Sequence, residues 1–91
     1  MRTVNQDLLD SLHCAKRQAQ VRHARNALRN VQILMHYSGH PELLFECRDF
    51  LEAAACNWLP RDKWHENIKG ARYHLARVLR QLPTVDANPN Y

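Results

Sequence analysis

Apolar residues recur at steps of three and four over most of the chain, which is the spacing of helices that bury one face. The clearest series lies between Asp62 and Leu82 and consists of Trp64, Ile68, Ala71, Leu75, Val78 and Leu82. Another series lies between Pro41 and Trp58 and consists of Leu44, Cys47, Leu51, Ala54, Ala55 and Trp58. Pro60 separates the two segments, so each series predicts a separate helix with its own buried face.

A longer segment without glycine or proline precedes these two and runs from Asn5 to Tyr37. Gly39 and Pro41 then stop it, since glycine suits the left-handed position after a helix and proline suits the first turn of the next one. The apolar residues of this segment form two rows, a later one of Val21, Ala24, Leu28, Val31 and Met35 and an earlier one of Leu8, Leu12, Ala15 and Ala19. In one unbroken helix these rows would lie on nearly opposite faces.

Two arrangements would bury both rows. The segment either breaks near Arg17 to Gln20 and folds back, which gives a four-helix bundle, or continues as one helix whose early row packs against another chain. No glycine or proline marks a break, and residues 15–20 are mostly good helix formers. The pattern therefore favours the continuous helix and predicts an all-α fold, a small bundle of three to four helices with a long N-terminal helix.

The length of the chain limits it to one domain. A chain of 91 residues buries only about 60–65% of its unfolded surface, which leaves too little core for two domains. Pro83 ends the third predicted helix, and the polar residues with proline that follow are typical of a loosely held end. We therefore predict a single helical domain at 1–83 and a flexible C-terminal tail at 84–91.

The formal net charge is +4, and the charges are segregated along the chain. Residues 16–40 contain five Lys and Arg and no acid, residues 41–58 contain four acids and one Arg, and residues 59–82 contain six bases and two acids. The basic positions that flank the apolar rows are Arg22, Arg25 and Arg29 in the first segment and Lys69, Arg72 and Arg80 in the third. If these two segments pack side by side, the basic positions form one surface that attracts phosphates or an acidic protein.

An alternative interpretation assigns no partner to these charges. They are then solvated helix faces, partly neutralised within the fold or across a dimer by a ridge of acids, Glu42, Glu46 and Asp49. Tyr73 projects away from the apolar face of its segment, where an aromatic residue is either incidental or part of an interface.

No motif indicates an enzyme. His13 and Cys14 are adjacent in sequence, but consecutive helical residues point about 100° apart and do not form a hydrogen-bonded dyad. His36 and His40 have the spacing of one half of a zinc finger, whereas the CxxC half is missing. We expect no catalytic activity, no bound metal and no cofactor.

The number of cysteines and the shortness of the apolar runs both bear on where in the cell the protein is expected. Cys14, Cys47 and Cys56 are an odd number without a CxxC pair, which fits reduced thiols in a cytoplasmic protein. No apolar run approaches the roughly 18 residues that a spanning helix needs, and the first residues lack the apolar centre of a signal peptide. We expect a cytoplasmic protein without a membrane partner.

Binding is the function that this pattern favours. The helical profile with reduced cysteines and segregated charge resembles that of small phage- or mobile-element-encoded inhibitors and adaptors, although no motif assigns the chain to a family. We expect a non-enzymatic regulator or inhibitor that binds a larger protein or nucleoprotein complex. The expected partner-binding residues are Leu8, Leu12, Ala15, Ala19, Arg22, Arg25 and Arg29, and the early apolar row would also serve a homodimer. The alternative is a nucleic-acid-binding module that uses Lys16, Arg22, Arg25, Arg29, Lys69, Arg72 and Arg80.

Overall fold

The computed structural model describes residues 2–13, 20–56 and 59–87. Four α-helices make up most of this part of the chain: α1 (Val4–His13), α2 (Gln20–Ser38), α3 (Phe45–Ala54) and α4 (Arg61–Val78). A 3₁₀ turn at Pro41–Leu44 leads into α3, and another at Leu79–Gln81 follows α4. The predicted all-α class and small helical bundle are confirmed.

The helices are arranged around one core in chain order. α1 packs against α2, α2 against α3 and α3 against α4, and α4 closes the arrangement through a smaller contact with α1. α2 and α4 therefore lie at opposite corners of the bundle. The centre of the core holds Val31 and Leu34 of α2, Leu51 of α3, and Trp64 and Leu75 of α4.

The long N-terminal helix is the detail of the prediction that differs, because two helices that pack against each other stand in its place. Leu8 and Leu12 are 0% and 2% exposed within the single chain. This corrects the expectation that their row faces another chain. Burying a leucine side chain stabilises the fold by about 1.5–3 kcal/mol, whereas ordinary helix propensities differ by less than about 0.7 kcal/mol per residue. Ala15 and Ala19, the other half of the row, lie outside the described residues.

The buried face of α2 is broader than its predicted row. Its fully buried apolar positions are Ala24, Ala27, Val31 and Leu34. Leu28 and Met35, which the row includes, are only partly buried. The face is broad because α2 packs against two helices, α1 on one side and α3 on the other.

The predicted core positions of the last two segments are confirmed where the structure describes them. The buried positions are Leu44, Cys47, Leu51 and Ala54 around α3 and Trp64, Ile68, Ala71, Leu75 and Leu82 around α4. Ala55 and Val78 are partly buried, and Trp58 lies outside the described residues. Periodicity alone was sufficient here because each helix presents one continuous stripe to the core.

The turn between α2 and the following 3₁₀ turn has the conformation that its residues predict. Gly39 has a φ of 74°, which is the left-handed region that favours glycine. The hydroxyl of Ser38 accepts a hydrogen bond from the backbone N–H of His40 at 3.2 Å. This reversal of the chain places α3 beside α2.

Residues 84–87 are docked on the N-terminal end of the chain. The N–H of Val4 donates to the carbonyl of Val85 at 2.7 Å, and the N–H of Ala87 donates to the carbonyl of Arg2 at 3.2 Å. Val85 is 9% exposed and belongs to the core. The domain therefore extends at least to Ala87, four residues beyond the predicted boundary, and residues 88–91 lie outside the described part.

Candidate functional site

Three arginines form an exposed row on α2. Arg22, Arg25 and Arg29 occupy successive turns of the helix and are all exposed. At about 1.5 Å per residue their Cα atoms rise by about 4.5 and 6 Å along the helix axis. None of the three forms an ion pair with any residue in the described ranges. The arginine row therefore presents three positive charges that this part of the fold leaves without a carboxylate.

A groove between α2 and α3 continues the arginine row. Gln32 and His36 follow Arg29 on the same flank of α2, and both line the groove. Its volume is about 500 Å³, and Met35 and Pro41 contribute apolar surface to it. The surface thus combines a cationic row with an apolar depression at one end.

The α3 wall of this groove is close to neutral. Arg48 and Glu52 line it. The guanidinium of Arg48 lies 3.1 Å from a carboxylate oxygen of Asp49 and 3.8 Å from one of Glu52. Because Arg48 is shared between two acids, the positive charge of this surface comes from α2.

The basic positions of α4 and of the 3₁₀ turn after it lie apart from the arginine row. Lys69, Arg72 and Arg80 are exposed, and each is without an ion-pair partner among the described residues. Since α2 and α4 lie at opposite corners of the bundle, these positions do not merge with the arginine row. This corrects the single basic surface that side-by-side packing would have produced. Lys16, the remaining predicted position, lies outside the described residues.

A second groove runs between α1 and α4. It is lined by Leu9 of α1 and by Lys69, Arg72, Tyr73 and Ala76 of α4, and its volume is about 400 Å³. Tyr73 is 61% exposed, as its position away from the apolar face predicts. The contribution of Leu9 was not predicted from the sequence, because it depends on where α1 docks.

The acids of the predicted ridge are engaged locally and do not neutralise the arginine row. Glu42 lies 3.4 Å from Nδ1 of His40, and Glu46 lies 2.6 Å from Nδ1 of His74. Asp49 is bound by Arg48. The His74 ring of α4 also stacks on the Phe50 ring of α3, with ring centroids 5.4 Å apart. The contacts of His74 with Glu46 and with Phe50 both join α3 to α4.

The described cysteines are not arranged as nucleophiles. Burial raises the pKa of the Cys47 thiol to about 12, so this thiol stays protonated at neutral pH. The thiol of Cys56 contacts the carbonyl oxygen of Glu52 at 3.6 Å. Among the residues that the structure describes, no group of three or more His, Cys, Asp or Glu side chains could hold a metal ion. His36 and His40, whose spacing matches one half of a zinc finger, are therefore not part of such a group in this part of the chain.

None of the helices in the described ranges is both long and apolar enough to cross a membrane.

Comparison of the chain with protein-family models, with curated proteins and with solved structures gave no significant match. The arginine row and the two grooves are therefore interpreted from their own chemistry.

Proposed function

We propose that this chain is a non-enzymatic binding protein that regulates or inhibits a larger protein or nucleoprotein complex. Its α2 face docks on an acidic protein surface, with Arg22, Arg25 and Arg29 facing carboxylates of the partner. The observation that supports this proposal is the absence of ion pairs for these arginines within the described residues. Exposed charges of one sign speed the encounter with an oppositely charged surface and select against wrong partners.

The adjoining groove favours a protein over a nucleic acid at this face. Rows of cations bind phosphates without any apolar contact, whereas a protein partner needs a desolvated apolar centre to gain affinity. Met35 and Pro41 offer such a centre directly after the arginine row. A partner segment with several acids and one apolar side chain would match both features.

The thiols of the described cysteines support a reducing compartment. The described cysteines, Cys47 and Cys56, are free, and the buried thiol of Cys47 has a raised pKa. We assign the protein to the cytoplasm on this basis.

The second candidate function is nucleic-acid binding, which the unpaired Lys69 and Arg72 favour.

The test begins with affinity capture from the native host lysate, with and without nuclease, followed by mass spectrometry. Binding of the purified partner is then measured with two variants of equal charge change. One is Arg22→Glu with Arg25→Glu and Arg29→Glu, and the other is Lys69→Glu with Arg72→Glu and Arg80→Glu. We expect the α2 variant to lose about 10- to 100-fold in affinity and the α4 variant to bind like the unchanged chain.

Three outcomes would overturn the proposal. Loss of every captured partner after nuclease treatment would favour a nucleic acid. Unchanged affinity and unchanged association rate of the α2 variant at low salt would remove the arginine row from the interface. A dimer of the pure chain by light scattering that the α2 variant converts to a monomer would make a second copy the partner of this face.

A further inference from the structure

We propose that the exposed face of the second half of α4 binds single-stranded nucleic acid, with a base stacked on Tyr73 and phosphates held by Lys69, Arg72 and Arg77. This face is separate from the arginine row, and the inference rests on the second candidate function named above, which it narrows to single strands. Proteins that bind single strands without sequence preference combine a cationic groove with aromatic side chains that stack on bases. Both components occur together here.

The cations are spaced around the tyrosine. Lys69 lies four residues before Tyr73 and Arg77 four residues after it, so both are neighbours of the ring on the helix surface. The guanidinium carbon of Arg77 lies 5.7 Å from the centroid of the Tyr73 ring. Arg77 thus covers one face of the ring, and a base would stack on the other. Tyr73 is 61% exposed, which leaves it accessible to a base.

Acids are absent from this stretch of sequence, since residues 67–85 contain no Asp or Glu. Two acids close to this stretch are paired with bases. Glu66 pairs with Lys63 at 3.5 Å, and Glu46 pairs with His74 on the α3 side of the helix. Arg77 lines a groove with Glu42 and Glu46 on the α3 side of the helix. None of Lys69, Arg72 and Arg77 forms an ion pair with a carboxylate of the described residues.

The shape of the surface favours a single strand over a duplex. The groove between α1 and α4 has a volume of about 400 Å³, with Leu9 and Ala76 as its apolar lining. A duplex keeps its bases stacked on one another and presents phosphates, so it would use the cations and leave Tyr73 and Leu9 without a role. An unstacked base can occupy the groove and contact the tyrosine ring.

The experiment measures fluorescence anisotropy of a labelled thymidine oligonucleotide of about 12 nucleotides with the full chain. We expect Tyr73→Ala to weaken binding about 5- to 150-fold, which is the loss of one stacked base. Tyr37→Ala, at a second exposed tyrosine on α2, is the matched control and should bind like the unchanged chain. The logarithm of the affinity should fall with the logarithm of the salt concentration with a slope of about −2, as about three phosphate contacts to a single strand require.

Further variants separate this proposal from the one for α2. Lys69→Glu with Arg72→Glu should abolish oligonucleotide binding, whereas the α2 variant with three Arg→Glu changes should retain most of it. Equal affinity of Tyr73→Ala and the unchanged chain, or tighter binding of a duplex of the same length, would overturn the proposal. So would the absence of any binding at low salt. Circular dichroism of each variant shows whether the fold is intact.

Discussion

The backbone N–H of Val85 donates a hydrogen bond to Oδ1 of Asn5 at 2.9 Å, although the two residues are 80 positions apart. The Nδ2 of the same asparagine donates to the carbonyl of Pro83 at 3.2 Å. One side chain therefore joins the first turn of α1 to the segment that follows α4. This link fixes α1 over the core from the end opposite to its connection with α2.

Asn5→Ala should lower the free energy of unfolding by about 1–2 kcal/mol, because two hydrogen bonds are lost and the N–H of Val85 is left without its acceptor. The measurement is urea denaturation followed by circular dichroism. Asn26→Ala, an exposed position on α2, is the control and should be neutral or slightly stabilising. Equal stability of both variants would show that residues 83–85 dock without help from Asn5.

Leu8→Ala should destabilise the single chain by about 3–5 kcal/mol, since it removes a fully buried side chain and leaves a cavity. Leu9→Ala is the matched control on the next position of α1, where the side chain is only partly buried, and should have a much smaller effect. Thermal unfolding at several protein concentrations measures both. A folded Leu8→Ala chain with unchanged stability would mean that α1 does not pack on this core in solution.

Gly70→Ala should lower stability by about 1 kcal/mol, although an alanine in the middle of a helix usually raises it by about that amount. A Cβ atom at this position would lie 2.7 Å from Cε1 of Phe50, so the phenyl ring would have to shift away from α4. Combining Gly70→Ala with Phe50→Leu should recover part of the loss. A stabilised Gly70→Ala single variant would contradict this close approach of α3 and α4.

The buried thiol of Cys47 should make stability depend on alkaline pH. Its pKa is about 12 in the folded chain against an ordinary value of 9.0. Above pH 9 the unfolded chain loses this proton while the folded chain keeps it, so stability is fully present below pH 9 and falls between the two pKa values. The slope is about 1.4 kcal/mol per pH unit. Denaturant titrations from about pH 8 to pH 11 of the unchanged chain and of Cys47→Ala should differ by this slope. Parallel curves would contradict the prediction.

The parts of the fold that the sequence predicts well are those in which one helix buries one stripe. Ile68 and Leu75 follow this rule on α4, and proline bounds the helix on both sides. The separation of α1 from α2 could not be predicted in this way, because residues 15–20 favour a helix locally. The burial of Leu8 and Leu12 decides this separation, because it stabilises the fold by more than local helix propensity does. Their burial against α2 depends on the assembled bundle and cannot be read from the local sequence.

The sequence predicts which residues of the candidate surfaces are exposed, but it does not predict which of them lie side by side. The exposure of Arg22, Arg25 and Arg29 follows from their positions on one flank of α2. Whether they join the basic residues of α4 depends on which helices are neighbours, and periodicity carries no information about that order. Tyr73 stood out because it lies off the apolar face, whereas Arg77 gained significance only from its contact with the tyrosine ring.

The hydrogen bond from the N–H of Ala87 to the carbonyl of Arg2 shows that the two ends of the described chain lie side by side. The order of the helices in the sequence can therefore be changed while their packing in the bundle stays the same. A short linker between these two positions, with a cut in the exposed turn at Gly39 and His40, would give a circular permutant in which α3 comes first and α2 last. Its new ends would emerge beside the groove between α2 and α3. A fluorophore or affinity tag could then be attached next to the arginine row or far from it, simply by choosing where the polypeptide is opened.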